Sequence, residues 1–173
     1  MKANIHSFET MGLFDGPGIR TVIFFQGCPL RCSYCHNPDT WTTNINNEFS
    51  VDEVVEKVLE YKNYYDVSNG GVTFSGGEPL LQTKFIIKVA KKLKKHDIHI
   101  ALDTSGIGKG NFDELLKYID LVLLDIKHPT KKGFYKITKR DNSSLLHFID
   151  SLNKSETSVW IRNVIVNNIN DSK

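Results

Sequence analysis

The sequence predicts an α/β fold, namely an open, partial TIM-like barrel of about five parallel β/α units. Apolar segments of strand length alternate along the chain with segments whose apolar residues recur at helical spacing. Such alternation, without signals for β-hairpins, is typical of parallel strands joined by right-handed crossover helices. A closed eight-unit barrel takes roughly 250 residues, whereas this chain has 173. We therefore expect one domain, residues 1–173, whose sheet does not close.

Each predicted element has its own local signal. Five apolar, β-branched runs are predicted strands: residues 21–25, 71–74, 98–102, 121–126 and 158–166. Ser50 with Glu53, and Asn111 with Glu114, place an N-cap residue three positions before an acidic residue, which predicts two helix starts. Two further helices are predicted over residues 82–95 and 143–152.

The composition is that of an ordinary globular protein, with 40% apolar and 24% charged residues. A net charge of +2 gives no reason to expect a nucleic acid or a membrane as partner. There is no secretory leader and no apolar run of the ~18 residues that a membrane helix needs, so we expect a cytoplasmic protein. One lysine cluster is interpreted as the solvated face of a helix, with a docking patch for an acidic electron carrier as the alternative: Lys88, Lys91, Lys92, Lys94 and Lys95.

The three cysteines, Cys28, Cys32 and Cys35, lie close together directly after the first predicted strand. An odd, clustered set argues against a disulfide framework and for a metal centre in a reducing compartment. Thiolates are the usual ligands of iron–sulphur clusters, and three of them can hold three corners of a [4Fe-4S] cubane. The remaining iron then stays open for a small molecule, as one position does in catalytic zinc sites. Structural zinc and unligated buried cysteines are the alternatives.

Polar residues follow four consecutive predicted strands at the point where each strand ends. They are residues 26–28, residues 75–78, residues 103–105, and Asp125 with Lys127. In parallel α/β sheets ligands bind at the carboxyl ends of the strands. We therefore expect these residues to line one site.

Within this rim, Gly76 and Gly77 would let a ligand approach the backbone closely, and Glu78 offers an acceptor for an ammonium group. A side chain at Gly77 is then expected to weaken ligand binding while the cysteine loop stays intact. A simple strand-to-helix turn is the alternative. Because buried charges are paired or used, Asp103 and Lys127 are either ligand contacts or a mutual salt bridge.

The pattern C-x3-C-x-aromatic-C after a first strand resembles the radical S-adenosylmethionine superfamily. More narrowly, the chain resembles the activating enzymes of glycyl-radical enzymes, and the likeness covers nearly its whole length. The motifs that carry it are residues 5–9, 15–20, 24–28, 34–37, 39–41, 70–73, 75–78, 102–104, 124–127 and 159–162.

The resemblance implies a [4Fe-4S] cluster on the three cysteines and S-adenosylmethionine as cofactors. Tyr34 is similar to a residue that touches adenine, and residues 75–78 to a segment that contacts the methionine amino group. Asp103 and Asp125 are also candidates to hold a monovalent cation, and Asp15 to contact a target peptide. The implied cofactor-binding residues are Tyr34, His36, Gly76, Gly77, Glu78, Asp103, Asp125, Ile126 and Lys127.

The implied activity is reductive cleavage of S-adenosylmethionine, followed by abstraction of a hydrogen atom from a backbone glycine of a glycyl-radical enzyme such as pyruvate formate-lyase. Flavodoxin or ferredoxin is the implied electron donor. No catalytic acid or base is expected from the chain, because the cofactor carries the chemistry. The alternatives are an activase of anaerobic ribonucleotide reductase and a non-catalytic iron–sulphur or zinc-binding module.

The resembled enzymes continue through a sixth strand and a final helix. We therefore expect residues 1–173 to form a single radical S-adenosylmethionine domain without that C-terminal part. The fifth predicted strand, over residues 158–166, is apolar. It is then expected to lie at an exposed edge of the sheet, where strands tend to associate.

Overall fold

Seven strands form one sheet in this computed structural model, which describes residues 1–44, 47–167 and 169–171. Numbered along the chain, the strands are β1 Lys2–Gly12, β2 Arg20–Phe25, β3 Glu48–Ser50, β4 Gly71–Gly76, β5 His99–Thr104, β6 Leu121–Asp125 and β7 Ser158–Arg162. Their order across the sheet is β3-β1-β2-β4-β5-β6-β7. Within the described residues no ladder joins the outer strands β3 and β7, so the sheet is open as predicted.

Five neighbouring strands pair in parallel, namely β2, β4, β5, β6 and β7. This arrangement confirms the predicted α/β class and its five parallel units. The register aligns the ends of neighbouring strands, with Phe24 beside Ser75 and Asp125 beside Arg162. The last strand is shorter than predicted. It ends at Arg162, and the side chain of Asn163 caps its neighbour by donating to the carbonyl oxygen of Ile126 at 2.5 Å.

The first strand was not predicted, and it adds antiparallel pairs to the parallel strands that the sequence predicts. β1 pairs antiparallel with both β2 and β3. Its register with β2 shifts between Ile5 and Ser7 and again between Glu9 and Gly12. Such irregularities break the strict alternation of apolar and polar residues that identifies a strand in a sequence. The connection to β2 is also too long for the two-residue turns that signal a tight hairpin.

In the part of the chain that the structure describes, six α-helices accompany the sheet: α1 Val51–Leu59, α2 Lys62–Ser68, α3 Thr83–Leu93, α4 Phe112–Leu116, α5 Lys131–Thr138 and α6 Ser143–Leu152. The predicted helices correspond to α1, α3, α4 and α6. The capping box of α1 is present, since the Ser50 hydroxyl accepts from the Glu53 amide and the Glu53 carboxylate accepts from the Ser50 amide. The helices α2 and α5 were missed because both are short, and α5 contains a glycine, which lowers helix propensity.

The two faces of the parallel strands have different character. Alternate residues such as Val72 and Phe74 of β4 are fully buried in the main apolar core with the helices, where the rings of Phe25 and Phe74 lie 6.0 Å apart. The residues between them, including Thr73 and Ser75, point to the opposite face. The polar residues of the sheet are therefore concentrated on the face that the helices do not cover.

The strand β7 lies at the edge of the sheet, as expected. The side chains of Trp160 and Ile161 are 52% and 62% exposed. No helix among residues 1–44, 47–167 and 169–171 is long and apolar enough to cross a membrane.

We expect Ser50→Ala to lower the free energy of unfolding by about 1 kcal/mol, because the variant loses the cap of α1. Chemical denaturation followed by circular dichroism measures this difference. Ser158→Ala is the matched control, since Ser158 is exposed and its hydroxyl makes no hydrogen bond within the described part of the chain. Equal stability of the two variants would show that the capping box contributes nothing.

Candidate functional site

The cysteine loop, residues 28–35, begins just beyond the carboxyl end of β2. Cys28, Cys32 and Cys35 are all free thiols, and Cys32 is buried. A tight turn closes the second half of the loop, where the Cys35 amide donates to the Cys32 carbonyl oxygen at 3.1 Å. This turn brings the last two cysteines to the same side of the loop.

The loop is anchored on the C-terminal end of α5. The amide of Arg31 donates to the carbonyl oxygen of Thr138 at 2.8 Å, and the amide of Ser33 donates to that of Ile137 at 3.3 Å. The last carbonyl groups of a helix have no partner within the helix, so the loop supplies donors that α5 needs. The side chain of Arg140 adds a third bond, to the Pro29 carbonyl oxygen at 2.9 Å. The missed helix α5 is thus what holds the cysteine loop.

Burial disfavours the charged form of two of the thiols. Burial, together with the smaller effect of the nearby Glu78 carboxylate, raises the pKa of Cys28 to about 12. Burial also raises the pKa of Cys32, against the effect of Lys127. Within the described residues, no three His, Cys, Asp or Glu side chains are gathered closely enough to hold a single metal ion.

A cavity of about 710 Å³ lies at the carboxyl ends of the parallel strands, with the cysteine loop as one wall. It contains most of the residues that the sequence predicted, brought together from the cysteine loop and the residue after it, the turn before β2 and the ends of β4, β5 and β6. The predicted residues that line it are Asp15, Cys28, Cys32, Tyr34, Cys35, His36, Gly76, Gly77, Asp103, Asp125 and Lys127. Glu78 and Ile126 do not line it.

Lys127 and Asp125 form an ion pair inside the cavity, with Nζ and Oδ2 2.5 Å apart. Burial lowers the pKa of Lys127, but the carboxylate of Asp125 more than offsets this effect and raises it overall. The ammonium also lies 5.7 Å from the centre of the Tyr34 ring. Two buried polar atoms of this group, Tyr34 Oη and Asp125 Oδ1, have no hydrogen-bond partner among the described residues. Such buried groups normally bond to something, so a polar ligand has partners ready here.

Asp103 is paired with Arg162 of β7, and not with Lys127 as in one of the two interpretations above. Its other carboxylate oxygen accepts from the Ser75 hydroxyl at 2.8 Å. Sequence reasoning did not assign Arg162 to the site. The signal was present, because Arg162 is the polar residue that ends the fifth strand, where the rule applied to the other strands would have selected it.

Glu78 is 1% exposed and is held by residues at the end of β5. Its carboxylate accepts from the hydroxyl groups of Thr104 and Ser105, both at 2.5 Å, and from the Ser105 amide at 3.0 Å. Burial raises its pKa, against these hydrogen bonds. The acceptor atoms expected to face a ligand are therefore occupied by the protein, and a contact of Glu78 with a cofactor stays a prediction.

The two glycines of the rim are required by backbone packing. Gly76 has a φ angle of +106°, which favours glycine. A Cβ atom on Gly77 would lie 2.3 Å from the carbonyl oxygen of Gly27, the residue before Cys28. A side chain at Gly77 would therefore displace the start of the cysteine loop, contrary to our expectation that the loop would stay intact.

Asp15 reaches the cavity from the turn between β1 and β2. The Thr73 hydroxyl donates to its carbonyl oxygen at 2.7 Å. Burial raises the pKa of the Asp15 carboxyl, and the charge of Asp103 raises it further. Trp41 also lines the cavity and was missed by the sequence analysis. The guanidinium carbon of Arg31 lies over the Trp41 ring, 5.0 Å from the ring centre.

The donor set of the cavity fits the two cofactors that the resemblance implies. Three thiols on one wall are the usual ligands of an iron–sulphur cluster and leave one iron of a cubane open. The same cavity is lined by an ammonium and two carboxylates, and the unpartnered Tyr34 Oη and Asp125 Oδ1 belong to its lining residues. These groups match a small molecule that carries both charges and hydroxyl groups.

Comparisons with known proteins agree with this geometry. Residues 14–151 match a family model described as a 4Fe-4S single cluster domain. A pyruvate formate-lyase-activating enzyme from Clostridium pasteurianum is 54% identical over 98% of this chain and 71% of its own length. One from Staphylococcus epidermidis is 47% identical over 100% of this chain and 72% of its own. The crystal structure of a domain of such an enzyme from Bacteroides vulgatus superposes with a TM-score of 0.54 at 28% identity, covering 60% of this chain and 65% of that one.

These matches confirm the predicted enzyme class and the predicted [4Fe-4S] cluster. They do not test the individual residues that would contact the cofactor. The likeness to the activating enzymes covers nearly all of this chain at close to half identity or more. The chain belongs to the 4Fe-4S single cluster domain family and, within it, to the pyruvate formate-lyase-activating enzymes.

Proposed function

We propose that this chain cleaves S-adenosylmethionine reductively and removes a hydrogen atom from a backbone glycine of pyruvate formate-lyase. The observation that carries the proposal is the shared cavity, in which three thiols face a rim of paired charges and unpartnered polar atoms. When bound at the three cysteines, the cluster would supply the one-electron reduction that cleaves S-adenosylmethionine, and that cofactor would supply the group that abstracts the hydrogen atom. The chain supplies ligands, orientation and exclusion of water.

Each part of the cavity has a distinct role in this proposal. Cys28, Cys32 and Cys35 hold three irons. The Lys127–Asp125 ion pair separates when S-adenosylmethionine binds. The ammonium of Lys127 then binds the methionine carboxylate, and the carboxylate of Asp125 accepts a hydrogen bond from the nucleoside part of the cofactor. Asp125 is also a candidate ligand of a monovalent cation. Lys127 is suited to binding the methionine carboxylate because its raised pKa keeps the ammonium protonated at neutral pH.

The target glycine enters from the open side of the cavity. Asp15 lies on the turn before β2. The charge of Asp103 raises the pKa of its carboxyl, and the charge of Arg162 lowers it. A glycine within a polypeptide offers an amide N–H donor and a carbonyl acceptor. We assign Asp15 as the acceptor for an amide of the target peptide, which fixes the glycine Cα opposite the cofactor.

The electron donor in this proposal is flavodoxin or ferredoxin, in a cytoplasmic setting where thiols stay reduced. The lysine cluster on α3 is poorly placed to bind it. Lys91, Lys92 and Lys94 already pair with acidic residues of neighbouring elements. Lys94 pairs with Asp120, directly before β6, and so lies at the amino ends of the strands. The cysteine loop lies at the opposite ends, which favours the interpretation of the cluster as a solvated helix face.

Mixing experiments test the function directly. The anaerobically reconstituted protein, a chemical reductant and S-adenosylmethionine are incubated with pyruvate formate-lyase, or with anaerobic ribonucleotide reductase as the comparison. We expect the electron paramagnetic resonance signal of a glycyl radical with pyruvate formate-lyase. Release of 5′-deoxyadenosine without a radical on pyruvate formate-lyase would leave the cofactor chemistry standing and overturn the proposed target.

We expect Cys32→Ser to lose the cluster completely, because a serine hydroxyl is a poor replacement for a buried thiolate ligand. Iron content and the visible absorption band after reconstitution measure the loss. Ser33→Ala, at the adjacent exposed position, is the control and should retain both. A normal iron content in Cys32→Ser would remove this residue from the ligand set.

We expect Gly77→Ala to lower both cluster content and stability, the latter by about 1–3 kcal/mol, because its Cβ atom overlaps the Gly27 carbonyl group. Iron analysis and denaturation measure the two effects. Gly12→Ala is the matched control, since its Cβ would lie 3.0 Å from a side-chain methyl group of Val22 and no closer than 3.6 Å to a backbone atom outside its chain neighbours. A Gly77→Ala protein with normal cluster content and weaker cofactor binding would instead support a purely ligand-facing glycine.

A further inference from the structure

Arg20, the first residue of β2, carries a guanidinium that is completely buried on the helix-free face of the sheet. None of the ion pairs found among the described residues includes it. Its nitrogen atoms donate instead to uncharged groups: Nε to the Thr73 hydroxyl at 2.6 Å, Nη1 to the Pro17 carbonyl oxygen at 2.8 Å and Nη2 to the Val72 carbonyl oxygen at 2.6 Å. Burying a charge without an ion partner costs free energy. We therefore ask which part of the structure the Arg20 guanidinium stabilises.

The turn that carries Asp15 is built around this guanidinium. Thr73 accepts from Arg20 and donates its own hydroxyl hydrogen to the Asp15 carbonyl oxygen at 2.7 Å. Pro17 is bound directly, and a Cβ atom on Gly16 would lie only 3.0 Å from Arg20 Nε. The guanidinium thus binds Pro17 directly, lies beside Gly16 and is linked to Asp15 through the Thr73 hydroxyl.

The charge makes this anchor stiffer than a neutral one. Burial lowers the pKa of Arg20 to about 10, so the group is still protonated at neutral pH. Hydrogen bonds from a charged donor are roughly twice as strong as neutral ones. The planar fork of arginine also fixes the angles between the bonds that it donates, which a lysine ammonium cannot do.

We propose that Arg20 is a positioning residue that acts through Thr73 to fix Asp15 at the cavity for the target peptide. This inference rests on the proposed function, because it assumes that Asp15 contacts the target. Thr73 does not line the cavity and Arg20 does not reach it, so neither touches the cluster, the cofactor or the target. Their effect is therefore expected on target binding alone.

The test compares Thr73→Val, which removes the hydroxyl at nearly constant volume, with Thr73→Ser, which retains it. We expect Thr73→Val to raise the KM for pyruvate formate-lyase about fivefold to tenfold, the effect of one lost hydrogen bond. The cluster content and the release of 5′-deoxyadenosine without target should not change. Thr73→Ser should behave like the wild type in all three measurements. If Thr73→Val does not fold, Thr73→Ala takes its place.

A second measurement needs neither cluster nor target. Hydrogen exchange of the turn amides at residues 15, 16, 18 and 19 should be faster in cluster-free Thr73→Val than in Thr73→Ser or the wild type. Equal KM values for the valine and serine variants, or equal exchange, would overturn the positioning role. If the wild type cleaves S-adenosylmethionine but forms no radical on pyruvate formate-lyase, the proposed function fails, while the exchange result still decides whether the Thr73 hydroxyl, which links Arg20 to Asp15, holds the turn.

Discussion

The parallel register of five strands is the constraint on which the site depends. Because β2, β4, β5, β6 and β7 run in one direction, their carboxyl ends meet at one rim. Every group of the cavity is attached at or beyond such an end, apart from Asp15, which enters on the turn before β2. A hairpin among these strands would have sent alternate ends to opposite sides of the sheet. The two antiparallel strands, β1 and β3, lie outside this set and extend the sheet without dividing the rim.

The charges of the rim are organised as neighbouring pairs. Asp103 is bound to Arg162, and Lys127 to Asp125, so that each half-buried charge has a partner of opposite sign. Charges held in this way are less costly than isolated ones, yet the pairs face an open cavity and can exchange partners with a charged ligand. Glu78 shows the contrasting arrangement, since hydroxyl and amide donors saturate it. Its carboxylate ties the end of β4 to the end of β5.

The sequence allowed prediction of those parts of the fold that rest on local, regular signals. Buried parallel strands read as apolar runs, and the cap at Ser50 has a fixed spacing, so both were found. The bulged strand β1 and the short helix α5 lack such regularity, and only tertiary contacts specify them. The same distinction applies to the site. The cysteines and the residues at strand ends could be predicted from spacing, whereas the partner of Asp103 depends on how far the sheet twists between β5 and β7. The inward burial of Glu78 was equally invisible, because alternation does not continue past the end of a strand.

The docking of the cysteine loop on α5 has a consequence for how the metal site forms. Hydrogen bonds from Arg31, Ser33 and Arg140 hold the loop by means that involve no cysteine. The conformational entropy of ordering these residues is therefore lost when the polypeptide folds, and little of it remains to be lost when iron arrives. In zinc fingers, by contrast, metal binding and folding are one event. In the proposed function, this loop would therefore be ordered by its contacts with α5 before the cluster binds.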